Sequence, residues 1–432
     1  MLKRTILFVF LSFSISFSAF CANLINDTET ENLLYEIISP LAKSANIPEN
    51  RLQIHIINED SFNAFVRGGD DIYIYTGLLK QIKNPNALQG VIAHELGHTI
   101  GGHMAQMSAR MDAELKRTLL VQALGIGLMV AGGNPSLGAG VLAGSSGITQ
   151  QSMLSFSRDE ERIADDMAID LMINAKVNPN GLIDVFEQMQ IMTGAIESKI
   201  NPNKINHPLT TERLNNVKEK ISATQNKQIF SKTPKNISER YEIMRAKLIG
   251  YLDTFEKTNT KYPKSDKSDA AIYARAIANM NKGNLSTALT GTKTLISRNS
   301  NNPYYHELLG DIKYQLGDYD ASISAYEKSL SLLPNSPQIQ TALALVLNER
   351  NKANDKEYAT ELCKKSILSK PAPLTYWVLA HIFTDGRSDW AMAEFYSLNG
   401  DIKNAKKFAK KAKSKLDKAS PEYIKSQDIL NL

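Results

Sequence analysis

Between residues 283 and 371 the chain repeats itself at an interval that fits a single supersecondary unit: Pro303, Pro337 and Pro371 stand 34 residues apart, and so do Gly283 and Gly317. A fixed period of this length means stacked helix–turn–helix units, each too small to bury its own apolar face and each covered by the next. The best-formed unit runs from Tyr304 to Pro334, with Leu309-Gly310 in its first helix, a turn at Gly317-Asp318, then Tyr326, Ser329 and Pro334. Small residues at these places let paired helices approach closely. A degenerate hairpin or cap around Asn399-Gly400-Asp401 completes a solenoid of about four helical pairs.

The rest of the chain needs a different fold. With 432 residues, 43% apolar and 22% charged, there is enough material for two buried cores, and composition excludes a disordered chain. Lys3 and Arg4 followed by the apolar run from Ile6 to Phe17 read as a secretory signal, so residues 1–21 are expected to be removed on export. That leaves Cys363 without a partner for an intramolecular disulfide. A net charge of +5 is small for this length, and Lys403, Lys406, Lys407, Lys410, Lys411, Lys413 and Lys415 read as a solvated helix face. No nucleic-acid motif accompanies them, so no nucleic-acid partner is expected. Leu52 to Ile57 and Asp71 to Thr76 alternate as strands do, and Arg67-Gly68-Gly69-Asp70 makes a turn. Most of the remainder is helical. The expected architecture is α+β and mostly helical: a small sheet packed on helices over residues 22–221, a linker and connecting helix over 222–262, and the repeats over 263–432.

The chemistry concentrates on one apolar helix. Asn84-Pro85 caps and starts it, and Leu88, Val91, Ile92 and Leu96 mark its buried stripe. His94 and His98, four residues apart, project from one face and can hold a single zinc ion; Glu95 lies beside them as a general base. Chance could produce this spacing on a surface helix. Burying two histidines and a carboxylate without a metal, however, leaves polar groups in need of partners.

The third ligand has two candidates. His103 falls one residue short of the spacing that would make it a downstream ligand, since Met104 occupies that place, so His103 reads as a surface histidine or a neighbour of the ligands. The segment Ser157-Arg158-Asp159-Glu160-Glu161-Arg162-Ile163-Ala164-Asp165 fits better. Ala164 and Ala168 keep one helical face small enough to sit against the metal helix, with Glu161 to ligate and Asp165, one turn on, to orient a ligand histidine. Glu160 points about 100° away. The competing reading is an exposed, charged helix start.

At these residues the chain resembles the CAAX prenyl and heat-shock membrane metallopeptidases: the HExxH helix, the Ser-Arg-x-x-Glu-x-x-Ala-Asp segment, and His207-Pro208 followed by Arg213. Asn63-Ala64-Phe65, the glycine turn and Gly77-Leu78-Leu79 match that family's active-site edge strand. The likeness covers roughly Leu33 to Glu219, and the 34-residue period resembles tetratricopeptide repeats over the last third. Signal, protease and repeats together resemble the repeat-bearing periplasmic members of the family.

The resemblance implies a zincin-like domain holding one Zn2+ through His94, His98 and Glu161, with Glu95 as catalytic base, followed by a tetratricopeptide solenoid. It leaves His207 two roles: a fourth ligand that holds the enzyme latent, or, with Arg213, a group near the oxyanion. It further implies a periplasmic endopeptidase, associated with the outer membrane, that degrades misassembled outer-membrane proteins and aids their assembly. Its partners would be protein substrates, above all β-barrel proteins and their assembly machinery, met through the repeats. The alternative is a repeat-domain chaperone or scaffold with a latent zinc site. From Thr118 to Ser157 no residue is ionised, and Gly132-Gly133-Asn134-Pro135 divides two apolar halves too short to span a membrane. Residues 118–157 read as a hairpin that is buried, covers the cleft or dips into a membrane surface.

Overall fold

Alternating burial builds the sheet. In this computed structural model, which describes residues 24–103, 105–110, 112–113, 116, 156–194, 207, 209–225, 230 and 233–432, the strands are β1 (Leu24–Ile25), β2 (Gln53–Ile57), β3 (Ala64–Arg67) and β4 (Asp71–Tyr75). The signal segment and nearly all of 118–157 lie outside the described residues, so neither expectation about them is tested. The sheet order is β1-β2-β4-β3. β3 and β4 form a hairpin with Ala64 opposite Ile74 and Arg67 opposite Asp71, turned by Gly68 and Gly69 at φ +64° and +95°, a region glycine enters without steric cost. Ala64, Val66, Ile72 and Ile74 are buried on one face. On the other, Tyr73 stacks between Phe65 and His55.

Among the described strands β4 lies between β2 and β3, and β1 and β3 lie outermost. A period of two identifies a strand but says nothing about which strand lies outermost.

Contacts divide the described chain into two compact units. One comprises 31–55 and 60–242 and holds the candidate site. Its main helices are α3 (Pro85–Ile100), α4 (Arg158–Asn174), α5 (Asn180–Gly194) and α6 (Thr211–Gln225); α1 (Thr28–Ser44) and α2 (Thr76–Gln81) precede them. α3 packs against α4, α5 and β3.

The other unit comprises 24–30, 56–59 and 243–432. After Lys235–Leu252 (α7) and Phe255–Lys261 (α8) it consists of five antiparallel helical pairs: Asp269–Asn281 (α9) with Leu285–Arg298 (α10), Pro303–Gln315 (α11) with Tyr319–Leu332 (α12), Pro337–Arg350 (α13) with Asp355–Ser369 (α14), Pro373–Ile382 (α15) with Gly386–Leu398 (α16), and Ile402–Lys415 (α17) with Pro421–Asn431 (α18). The sequence period supports about four; the fifth arises because Pro421 starts a closing helix that lies outside the period. Gly310 shows why the pairs need small residues: a β-carbon there would come within 2.7 Å of the Tyr326 ring. The turn positions recur at 34 residues even where glycine does not. Gly283, Gly317 and Asn351 all adopt positive φ. Cys363 is buried, which pushes its thiol up to about 12, and it plays no part in surface chemistry. Among the described residues, no helix is long and apolar enough to cross a membrane.

A buried ionic cluster ties the start of this unit to its helices. Lys247 Nζ lies 2.5 Å from Asp27, 3.2 Å from Glu29 and 3.8 Å from Glu307. The Tyr273 hydroxyl donates to Glu29 at 3.3 Å, and Gln338 donates to Glu307 at 2.6 Å.

Candidate metal centre

α3 is buried from end to end around the motif, and its start follows from two residues: Asn84 accepts from the Ala87 amide at 2.6 Å, and Pro85 occupies the first helical position. His94, Glu95 and His98 are all buried. Immediately before His98, Gly97 has no side chain, and a β-carbon there would fall 2.6 Å from the Ala164 carbonyl oxygen. The small face of α4 therefore lies directly on α3, as the alanines implied, and brings Glu161 and Asp165 to the histidines.

The start of α4 is held by a capping box. Ser157 Oγ accepts from the Glu160 amide, and the Glu160 carboxylate accepts from the Ser157 amide at 2.8 Å. Arg110 also grips Glu160. Glu160, expected to point away from the metal face, thus fixes the register in which its neighbour Glu161 points inward.

Four side chains converge. His94, His98, Glu161 and His207 each offer one donor atom, and these atoms all lie within 4.8 Å of one another. His94 Nε2 is 3.1 Å from His98 Nε2, 3.4 Å from Glu161 Oε2 and 3.4 Å from His207 Nδ1; His207 Nδ1 is 2.8 Å from Glu161 Oε1. Donors about 2.0–2.1 Å from a tetrahedrally held zinc are separated by about 3.3–3.4 Å, so the set fits such an ion. His94 Nδ1 faces Asp165 Oδ1 at 2.9 Å, so the proton that a metal would displace is the one on Nε2, which faces the cluster.

The electrostatics favour a cation at this point. Burial opposes charge on His94, but hydrogen bonds to Asp165 and Glu161 outweigh it and raise its pKa to about 10. His98 is lowered to about 2, by burial first and then by the neighbouring histidines, so it is neutral. Burial also works against the Glu161 anion, yet hydrogen bonds from His207 and His94 hold its carboxyl well below the usual range. Glu95 shifts the other way, upward, chiefly through burial.

Arg213, at the start of α6, turns its guanidinium toward two carboxylates of the site. Its Nε and Nη2 each lie 2.8 Å from Asp165, and Nη1 lies 2.7 Å from Glu161. The guanidinium is a buried clamp on two carboxylates. His207 sits inside the cluster, with Nε2 3.5 Å from Glu95. His103 lies behind His98 and is not among the converging donors. Phe156 stacks on His98 at 3.9 Å and on His207 at 5.2 Å; nothing in the sequence marks it except its place before the Ser157 cap.

Fold and site together make a domain with a buried His-His-Glu-His cluster, followed by helical repeats. Residues 28–221 match Peptidase family M48, and residues 310–349 match the TPR repeat model. The chain resembles the Beta-barrel assembly-enhancing protease of Escherichia coli (strain K12), with 25% identity over 343 residues covering 76% of this chain and 66% of that protein. It is also similar to Metalloprotease YcaL of the same organism, 27% identical over 37% of this chain and 59% of that one. Mitochondrial metalloendopeptidase OMA1 of Schizosaccharomyces pombe is 27% identical over 41% of this chain and 48% of its own. The chain spans just under two thirds of the enhancing protease it matches.

Proposed function

We propose that this chain is a zinc-dependent endopeptidase of the bacterial periplasm that degrades misassembled or stalled outer-membrane proteins, with its repeats engaging those substrates or their assembly machinery. The observation that carries the reading is the convergence of His94, His98 and Glu161 with the Glu95 carboxylate beside them. The family match and the name of the enhancing protease supply the substrate class.

His94, His98 and Glu161 would hold a zinc ion, which would supply Lewis acidity toward a peptide carbonyl and water. The chain's own residues do the rest. Asp165 keeps His94 in the ligating tautomer, and Arg213 holds Asp165 and Glu161 in place, so both act as positioning residues. Glu95, buried and with its pKa raised, takes a proton from water and passes it to the departing amine nitrogen. An extended substrate lies along the hairpin of β3 and β4, whose β3 packs beside α3.

His207 acts as the gate. Its ring contacts Glu161, His94 and Glu95 and so occupies the space where a carbonyl or water must enter. Cleavage of an unfolded protein such as casein, measured with zinc content, tests the proposal. Glu95→Gln should keep zinc and abolish cleavage, and His207→Ala should keep zinc and cleave faster than wild type. Zinc bound without cleavage by either wild type or His207→Ala would favour the non-proteolytic chaperone reading.

A further inference from the structure

The two histidines of the metal helix are supported differently. His94 has the Asp165 carboxylate behind it. Behind His98 stands another imidazole: His103 Nδ1 lies 3.0 Å from His98 Nδ1. Both rings are buried, each 2% exposed.

The chain goes to some length to put His103 there. α3 stops at Ile100, and Gly102 breaks the helical path at φ +67°. Gly101 leaves room for the returning ring, since a β-carbon there would fall 2.5 Å from His103 Nε2. The two rings meet nearly edge-on, 75° apart with centroids at 5.0 Å, and Phe156 closes the far face of His98.

Hydrogen-bond logic then assigns the protons. Two Nδ1 atoms at 3.0 Å can share only one proton between them. His98 turns Nε2 toward the cluster, 3.1 Å from His94 Nε2 and 3.7 Å from Glu161, and ligation through that atom requires its lone pair. The shared proton therefore belongs to His98 Nδ1, and His103 Nδ1 accepts it.

We propose that His103 is a positioning residue for the metal site: as a neutral acceptor it fixes His98 in the tautomer and ring orientation that binds zinc. The inference rests on His98 being a ligand, as proposed above. Using an imidazole rather than a second carboxylate also limits the negative charge buried around the ion, where Glu161 and Asp165 already share the Arg213 cation.

The test is zinc affinity of the full chain, by competition with a chelator, for wild type, His103→Ala, His103→Phe and His103→Gln. Each protein's unfolding midpoint is measured metal-free, and its visible spectrum is recorded with cobalt. His103→Ala and His103→Phe, which lack an acceptor, should bind one zinc with roughly 10–100-fold weaker Kd and an unchanged cobalt coordination spectrum. His103→Gln, whose amide oxygen can accept, should recover much of the loss. Zinc affinity within twofold of wild type in His103→Ala would overturn the inference. So would equal losses in all three variants that track the metal-free unfolding midpoint, because that is a packing role; a changed cobalt spectrum would make His103 a ligand instead. Failure of wild type to bind zinc would refute the metal site itself.

Discussion

Gly97 offers a quantitative test of how the site is assembled. An added β-carbon would lie 2.6 Å from the Ala164 carbonyl oxygen and 3.1 Å from its Cα. Ordinary contact begins near 3.4 Å, so Gly97→Ala must push α4 away from α3 by up to about 0.8 Å, whereas zinc ligands tolerate about 0.2 Å. Glu161 rides on α4, next to this contact. We expect zinc affinity to fall roughly tenfold or more, equivalent to about 1.4 kcal/mol, and overpacking to cost about 1–3 kcal/mol in stability. Gly90→Ala is the control. Its β-carbon would meet the backbone of Gly181 and Leu182 at 2.7 Å, overpacking α3 against α5 rather than against α4. Chelator competition and urea unfolding of the two variants should give similar destabilisation but a zinc defect only for Gly97→Ala. Equal zinc affinity in Gly97→Ala and wild type would refute the claim that this close approach sets the ligand geometry.

Three further outcomes are expected. Asp165→Asn removes the anion that faces both His94 and Arg213 and should weaken zinc binding roughly 10–100-fold, read by chelator competition. Lys247→Met leaves the Asp27 carboxylate buried without its cation and should destabilise the repeat unit by about 3–5 kcal/mol, read by urea unfolding. Burial raises the Glu307 carboxyl to about 8, so across the window from the ordinary glutamate value to that value the folded state holds a proton the unfolded state has released. Its contribution to stability is therefore complete below the ordinary value and lost as pH rises through that window. Glu307→Gln should flatten the slope of unfolding midpoint against pH there.

Local chemistry was legible where one segment carries its own instructions. Asn84-Pro85 announced the metal helix, the spacing of His94 and His98 gave a shared face, and Ala164 with Ala168 announced a close helix contact. The small sheet and the repeat pattern were equally readable, although helix α15 starts at Pro373 rather than at the periodic Pro371. What stayed hidden depends on partners distant in sequence. Nothing near Arg213 says that it clamps Asp165 and Glu161, 48 and 52 residues earlier. Lys247 meets Asp27 across 220 residues. Strand order does not follow from the alternation alone, because β3 and β4 both carry strand-like burial and only pairing places β4 between β2 and β3. Asn351 escaped notice as a repeat position because it reaches the left-handed turn conformation without being glycine.

The central claim is that His94, His98 and Glu161 hold one zinc ion while Glu95 does chemistry without ligating. The most direct measurement is zinc titration of the metal-stripped full chain beside His94→Ala, His98→Ala, Glu161→Ala and Glu95→Gln. The account predicts one zinc per chain for wild type and Glu95→Gln, and loss or severe weakening in the other three. Wild-type affinity in Glu161→Ala, or loss of zinc in Glu95→Gln, would contradict it.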